Sequence, residues 1–258
     1  MTAPLRCCAV LSALAGGLLG ARHGAPPAGV VALHGWRRSH ADFDAVLGGL
    51  DALAPDLPGF GASPPPPGAW GSAEYAEAVL PLCGEGGPVV VIGHSFGGRV
   101  AIMLAAAHPE VVGGLVLTGT PMWRPSGSTV PHAPVAFRVA KRLNQIGILS
   151  DRRMEARRQA SGSDDYRAAT GVMRDVLVRV LGETNDGTYR RALDRVQCPI
   201  ELVWGERDSA APLAVAVEAD ATLAMANLTV VGGVGHMTPT DAPAELRSAI
   251  DRRCQGDS

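Results

Sequence analysis

Apolar positions fall along this chain in two rhythms. Short unbroken runs at Gly29–Leu33, Pro88–Ile92, Gly114–Thr118, Ile200–Trp204 and Leu228–Val231 read as strands covered on both faces, since a strand with one wet face would alternate. Between them lie stretches with helical spacing: Asp42–Leu53, Ser72–Leu82 with Ser72 as N-cap, and Gly98–Ala107, which stops before Pro109. Asp56–Gly61 reads as a loop, lengthened by the stiff Pro64–Pro67. Strands alternating with helices predict a doubly wound α/β sheet.

Two regions depart from this rhythm. At the start, apolar runs Cys7–Leu14 and Leu18–Ala21 flank Gly16-Gly17, the pattern of a β-hairpin. Arg6 followed by Cys7–Leu19 also has the form of a secretory signal. The hairpin is preferred, because removing everything up to Ala21 or Ala25 would leave Gly29–Leu33 without an edge partner. That reading predicts a cytoplasmic protein, with secretion as the alternative, and the run is too short to cross a bilayer. The second departure is residues 121–196, which hold no strand but show helical stretches at Val135–Ile146, Arg152–Gln159, Tyr166–Leu181 and Thr188–Arg195. They carry 14 basic and 8 acidic residues, net +6, against −8 elsewhere. An insertion between parallel strands sits over their carboxyl ends, where such sheets bind ligands. Residues 121–196 are therefore expected to form a helical lid on a core of 1–120 and 197–258.

Composition narrows the function classes. A hydrophobic fraction of 47% in 258 residues supplies a large core, and a formal charge of −2 gives no electrostatic footprint for nucleic acid. Five cysteines, at 7, 8, 83, 198 and 254, form neither an even disulfide set nor a metal-ligand spacing. Reduced thiols, no metal and no stable membrane anchor are expected. The sequence leaves a monomer and a homodimer equally open.

The chemistry lies at the carboxyl ends of the predicted strands. Gly93-His94-Ser95-Phe96-Gly97 is a common pattern, but here an apolar strand leads into it and a helix of small residues leads out. That context marks a sharp turn that exposes Ser95 Oγ, with glycines where side chains would strike the strand and helix. A serine hydroxyl needs a base. His236, after the last predicted strand, occupies the right edge of the sheet, whereas His40, His108 and His132 read as surface or loop residues. The third member should follow a strand and precede the histidine: Asp208 is the choice and Glu206 the reserve. An oxyanion would need two backbone donors, assigned to the N–H of Phe96 and of Trp36, although the Trp36 ring has an equally good use in packing.

His34-Gly35-Trp36, Asp56–Gly61, Gly93–Gly98, Trp204-Gly205-Glu206-Arg207-Asp208 and Gly235-His236, in that order along the whole chain, resemble the α/β-hydrolase superfamily. The resemblance implies an eight-stranded, mostly parallel sheet, a helical cap after the sixth strand, no cofactor and Ser-His-Asp acyl chemistry. The expected reaction is hydrolysis of a small or medium carboxylic ester through an acyl-enzyme. Two alternatives stand beside it: a carbon–carbon bond hydrolase or related lyase with the same triad, and a ligand-binding protein on the same fold. A pocket floor of Trp36, Phe96, Trp123 and Met237 is expected. One departure from the family is Arg37-Arg38 after the oxyanion loop, which could meet an acidic substrate or face solvent.

Overall fold

The computed structural model describes residues 11–125, 150 and 164–255. Eight strands form one sheet in the order β1-β2-β4-β3-β5-β6-β7-β8. They are β1 (Leu11–Ala13), β2 (Leu19–His23), β3 (Val30–Leu33), β4 (Ala52–Asp56), β5 (Val89–His94), β6 (Val112–Thr118), β7 (Ile200–Gly205) and β8 (Ala226–Val231). β1 and β2 are antiparallel to their neighbours, and every later pairing is parallel.

Alternation along the central strands divides the core between two faces. Val89, Val91, Leu115, Leu117, Leu202 and Trp204 pack on one side, with α2 (Ser72–Val79) and α3 (Phe96–Ala107). Val90, Ile92, Val116 and Val203 point to the other, against α1 (Asp44–Leu47) and the last described helix, Pro243–Cys254. Both faces are covered, which is why these strands read as unbroken apolar runs.

The N-terminal hairpin turns where expected, with Gly16 at φ 70° and Gly17 at φ 75°. Its neighbour is not the expected one: β2 pairs with β4, and β3 lies between β4 and β5. The cause is a strand hidden in the sequence. The predicted helix Asp42–Leu53 shrinks to a 3-10 turn at His40–Phe43 and the four residues of α1, and Ala52–Asp56 becomes β4. Gly48 and Gly49 stop the helix, the latter at φ 77°. Ala-Leu-Ala-Pro-Asp has little strand propensity, and Pro55 argues against a central position. The sheet admits it because the β3–β4 ladder runs through Ala52 and Leu53 and ends before Pro55.

Three smaller corrections follow. Gly71, not Ser72, precedes the first turn of α2; its N–H donates to Glu74 at 2.9 Å, and Ser72 Oγ shares a 2.8 Å hydrogen bond with the Tyr189 hydroxyl. β8 is an edge strand and only half-buried, since no strand covers its outer side. The helical stretch Tyr166–Leu181 is two helices, α4 (Asp164–Ala168) and α5 (Gly171–Asn185), broken where Gly171 takes φ 52°. With α6 (Thr188–Leu193) they lie between β6 and β7 in the chain. The predicted helices Val135–Ile146 and Arg152–Gln159 lie outside the described residues. Among the described residues no helix is long and apolar enough to cross a membrane.

The burial pattern predicts a sharp contrast in unfolding titrations. Ile92→Ala, on a side chain with no exposure, should cost about 2–5 kcal/mol. Val230→Ala, on a residue 46% exposed in β8, should stay within about 0.5 kcal/mol of the parent. Comparable losses at both positions would contradict the assigned faces.

Candidate active site

β5 ends at His94 and α3 begins at Phe96, so one residue turns the chain from strand to helix. That residue is Ser95, at φ 53° and ψ −110°. Such a conformation costs a residue with a side chain about 1–3 kcal/mol and persists only where its surroundings impose it. They do. Ser95 N–H donates to the Thr118 carbonyl at the end of β6, at 3.0 Å. A Cβ on Gly93 would lie 2.5 Å from Gly98 Cα, and one on Gly97 would overlap the Leu33 and His34 carbonyls. The two glycines let strand and helix close on the serine from both sides.

Asp208 follows β7 and is almost fully buried. Its Oδ1 accepts the N–H groups of Ala210 at 2.9 Å and Ala211 at 2.8 Å. His236, in the loop after β8, donates Nδ1–H to Asp208 at 2.9 Å. With the Nδ1 proton so engaged, Nε2 is the free basic nitrogen of the ring. Ser95, His236 and Met237 line one cavity of about 270 Å³, together with Trp36 and Phe96. Glu206 takes no part in this pairing. It accepts the Gly233 N–H at 2.9 Å and braces the loop that carries His236.

Phe96 is the first residue of α3, so its N–H has no acceptor within the helix. The Trp36 ring stands edge-on to Phe60 at 4.8 Å and Phe96 at 5.5 Å, so packing and a backbone role coexist there. Trp123 is not among the residues lining this cavity. It is buried, with the Arg190 guanidinium 4.4 Å above its ring. Arg37 ion-pairs with Asp165 at 3.6 Å, and Arg38 donates Nε–H to Asp42 at 2.7 Å. Both sequence-flagged arginines thus have acidic partners.

Two residues at the site, Gly119 and Arg99, and the contact made by His94, were not foreseen from the sequence. Gly119, at φ 52°, leaves room for the acid–base pair: a Cβ there would lie 3.0 Å from His236 Nδ1 and 3.1 Å from Asp208 Oδ2. His94 donates Nε2–H to the His236 carbonyl at 2.9 Å, and the two rings lie 4.8 Å apart. Burial, helped by the neighbouring His236, pushes the His94 pKa down to about 4. Arg99 lines the cavity from α3 although it is nine-tenths buried. Gly119 has no sequence signal, and His94 stands inside the Gly93–Gly97 motif, which does not reveal its bond to the His236 carbonyl. Arg99 has a signal: a lone cation four residues after Ser95 in an otherwise apolar helix.

This fold and site have counterparts. The profile of the alpha/beta hydrolase family matches residues 30–249, and the chain belongs to that family. The pimeloyl-[acyl-carrier protein] methyl ester esterase of Aromatoleum aromaticum is 30% identical, over 88% of this chain and 98% of its own length. The 2-hydroxymuconate semialdehyde hydrolase of Pseudomonas sp. strain CF600 is 29% identical, over 88% and 83%. Among solved structures, a thermophilic esterase from Thermogutta terrifontis shares the fold with a TM-score of 0.62 at 20% identity, covering 96% of this chain and 98% of that one.

Two buried histidines give the core a pH dependence. His34 Nε2 accepts the Leu57 N–H at 2.9 Å while Nδ1–H donates to the Gly35 carbonyl at 2.8 Å. Burial pushes its pKa to about 4, as for His94, from an ordinary 6.5. Between those values the unfolded chain binds protons that the folded one refuses, so stability falls as pH falls. Each histidine should cost on the order of 1–2 kcal/mol between pH 6.5 and about pH 5. Urea unfolding at several pH values should show this slope, shallower in His34→Asn. An unchanged slope in that variant would contradict a neutral His34.

Proposed function

We propose that this protein is a serine hydrolase that cleaves a small or medium carboxylic ester through an acyl-enzyme. The observation that carries the reading is the Asp208–His236 pair opening onto the same cavity as a serine on a strained strand-to-helix turn. His236 Nε2 takes the proton of Ser95 Oγ as the oxygen attacks the ester carbonyl. The N–H groups of Phe96 and Trp36 receive the negative charge that moves onto the carbonyl oxygen, aided by the amino-terminal end of α3. His236 then returns the proton to the leaving alcohol. Water, activated by the same nitrogen, releases the acid and restores the serine. Asp208 keeps the imidazole in the Nδ1–H tautomer and stabilises the imidazolium.

Residues 121–196 act in this reading as a cap. Leu177, Val180 and Leu181 of α5 line the cavity and supply apolar surface that excludes water. Likeness to the 2-hydroxymuconate semialdehyde hydrolase supports a second reading, hydrolysis of a carbon–carbon bond in a polar acid by the same triad. A panel of nitrophenyl esters of increasing chain length, run beside a dienoate acid, separates the two.

Ser95→Ala and His236→Ala should each lower ester turnover by about 10⁴–10⁶ with the fold retained. Asp208→Asn should lose about 10⁴, because the amide cannot hold the imidazolium. Glu206→Gln should stay within about threefold, its carboxylate being spent on the Gly233 N–H. Steady-state kinetics on the best ester of the panel checks all four. A Ser95→Ala enzyme with a tenth of parental activity, or a crippling Glu206→Gln, would overturn the assignment.

A further inference from the structure

Arg99 occupies a costly position. It is 6% exposed, and a buried guanidinium left without a counterion costs several kcal/mol. Yet α3 holds it among Gly98, Val100, Ala101 and Ile102, all buried, where an apolar side chain would be cheaper. Of its five N–H donors the Nε–H alone has a described acceptor, the Pro121 carbonyl at 3.1 Å. The face of the group is 5.5 Å from the Tyr189 ring, a modest compensation. Glu183, whose charge acts on it from a distance, is bound to the Tyr189 hydroxyl at 2.8 Å and to the Ser72 N–H.

The other charged groups lining the cavity are accounted for. Arg38 is held by Asp42, and Asp165 by Arg37. Arg99 is therefore the one cation lining the cavity with no carboxylate at ion-pair distance among the described residues. It also stands one helical turn from Ser95, with its N–H donating to the Ser95 carbonyl at 3.4 Å. Both residues line the same cavity.

We propose that Arg99 is the substrate-binding residue for a carboxylate, and that the substrate is an ester whose acyl part ends in a carboxylate a few carbons from the scissile carbonyl. A planar guanidinium offers two parallel N–H groups to a carboxylate, which matches that anion in shape as well as charge. A cavity of about 270 Å³ has room for a short dicarboxylic acyl group. The wall of Leu177, Val180 and Leu181 would contact its methylenes. The proposal rests on Ser95 as nucleophile for the position of the carbonyl, while the anion site itself stands on Arg99 alone.

The test compares kcat/KM for p-nitrophenyl hydrogen glutarate with that for neutral p-nitrophenyl pentanoate. The parent should favour the carboxylate ester, and Arg99→Gln should lower that preference by about 10–100-fold, mostly through KM. Arg99→Lys, which keeps the charge and most of the stem, should also lower it, by about threefold or more, because an ammonium cannot form the paired bonds. Unchanged preference in both variants, even if both activities fall, means that Arg99 is structural and overturns the proposal. A second arm separates this outcome from a failure of the Ser95 assignment. Calorimetry should detect glutarate binding to Ser95→Ala and at least tenfold weaker binding to Ser95→Ala/Arg99→Gln. Equal binding by the two overturns the anion site. Substantial turnover by Ser95→Ala with Arg99-dependent binding instead removes the nucleophile and leaves the anion site standing.

Discussion

The hydrogen bond from Ser95 N–H to the Thr118 carbonyl ties the strained turn of the site to the centre of the sheet. Around it the packing has no slack. β5 and α3 meet at Gly93 and Gly98, α3 meets the end of β3 at Gly97, and none of these contacts admits a Cβ without displacement. The left-handed backbone at Ser95 is therefore imposed by the close approach of two strands and a helix. The core that buries Val91, Leu115 and Val100 also fixes the serine. Stability and chemistry are coupled at this turn, because loosening the helix on the sheet would let Ser95 relax toward an ordinary conformation.

Asp208 and His236 depend on the same sheet edge. Gly119 follows Thr118 by one residue, and its missing side chain makes room for Asp208 and His236. Asp208 is fixed by two backbone N–H groups as well as the imidazole, so it does not depend on His236 for its position. His94 supports the His236 backbone with a neutral ring. Burial keeps that ring from competing for a proton at neutral pH, and it adds no positive charge beside the base. Asp208 and His94 are thus held by contacts that leave His236 Nε2 on the cavity side of the ring without a described partner.

Much of this was legible in the chain. Val89–Ile92 and Gly114–Thr118 lie in strands buried on both faces, Ser95 and His236 line one cavity, and Asp208, after β7, is hydrogen-bonded to His236. What stayed hidden depends on contacts between distant segments. β4 is weak in local propensity and exists because β2 and β3 both need a partner. The fates of Arg37 and Arg38 turn on Asp165 and Asp42, and the latter lies only four residues from Arg38, close enough for an i, i+4 pair to be foreseen. Trp123 was expected in the pocket floor, yet it lies outside the cavity lining with Arg190 over its ring. Arg99 carried a visible signal, a charge in an apolar helix, but its lack of a counterion appears only once Pro121 and Tyr189 are placed around it.

The central claim is that the turn at Ser95 aims its hydroxyl at a point served by His236 and by two backbone donors. A crystal structure of the protein after reaction with a fluorophosphonate tests this directly, since the adduct has the tetrahedral shape of the attacked ester. Phosphorus should be bonded to Ser95 Oγ, with one phosphonyl oxygen about 3 Å from the backbone nitrogens of Phe96 and Trp36 and another near His236 Nε2. A phosphonyl oxygen pointing away from both backbone nitrogens, or an adduct on any other residue, would contradict it.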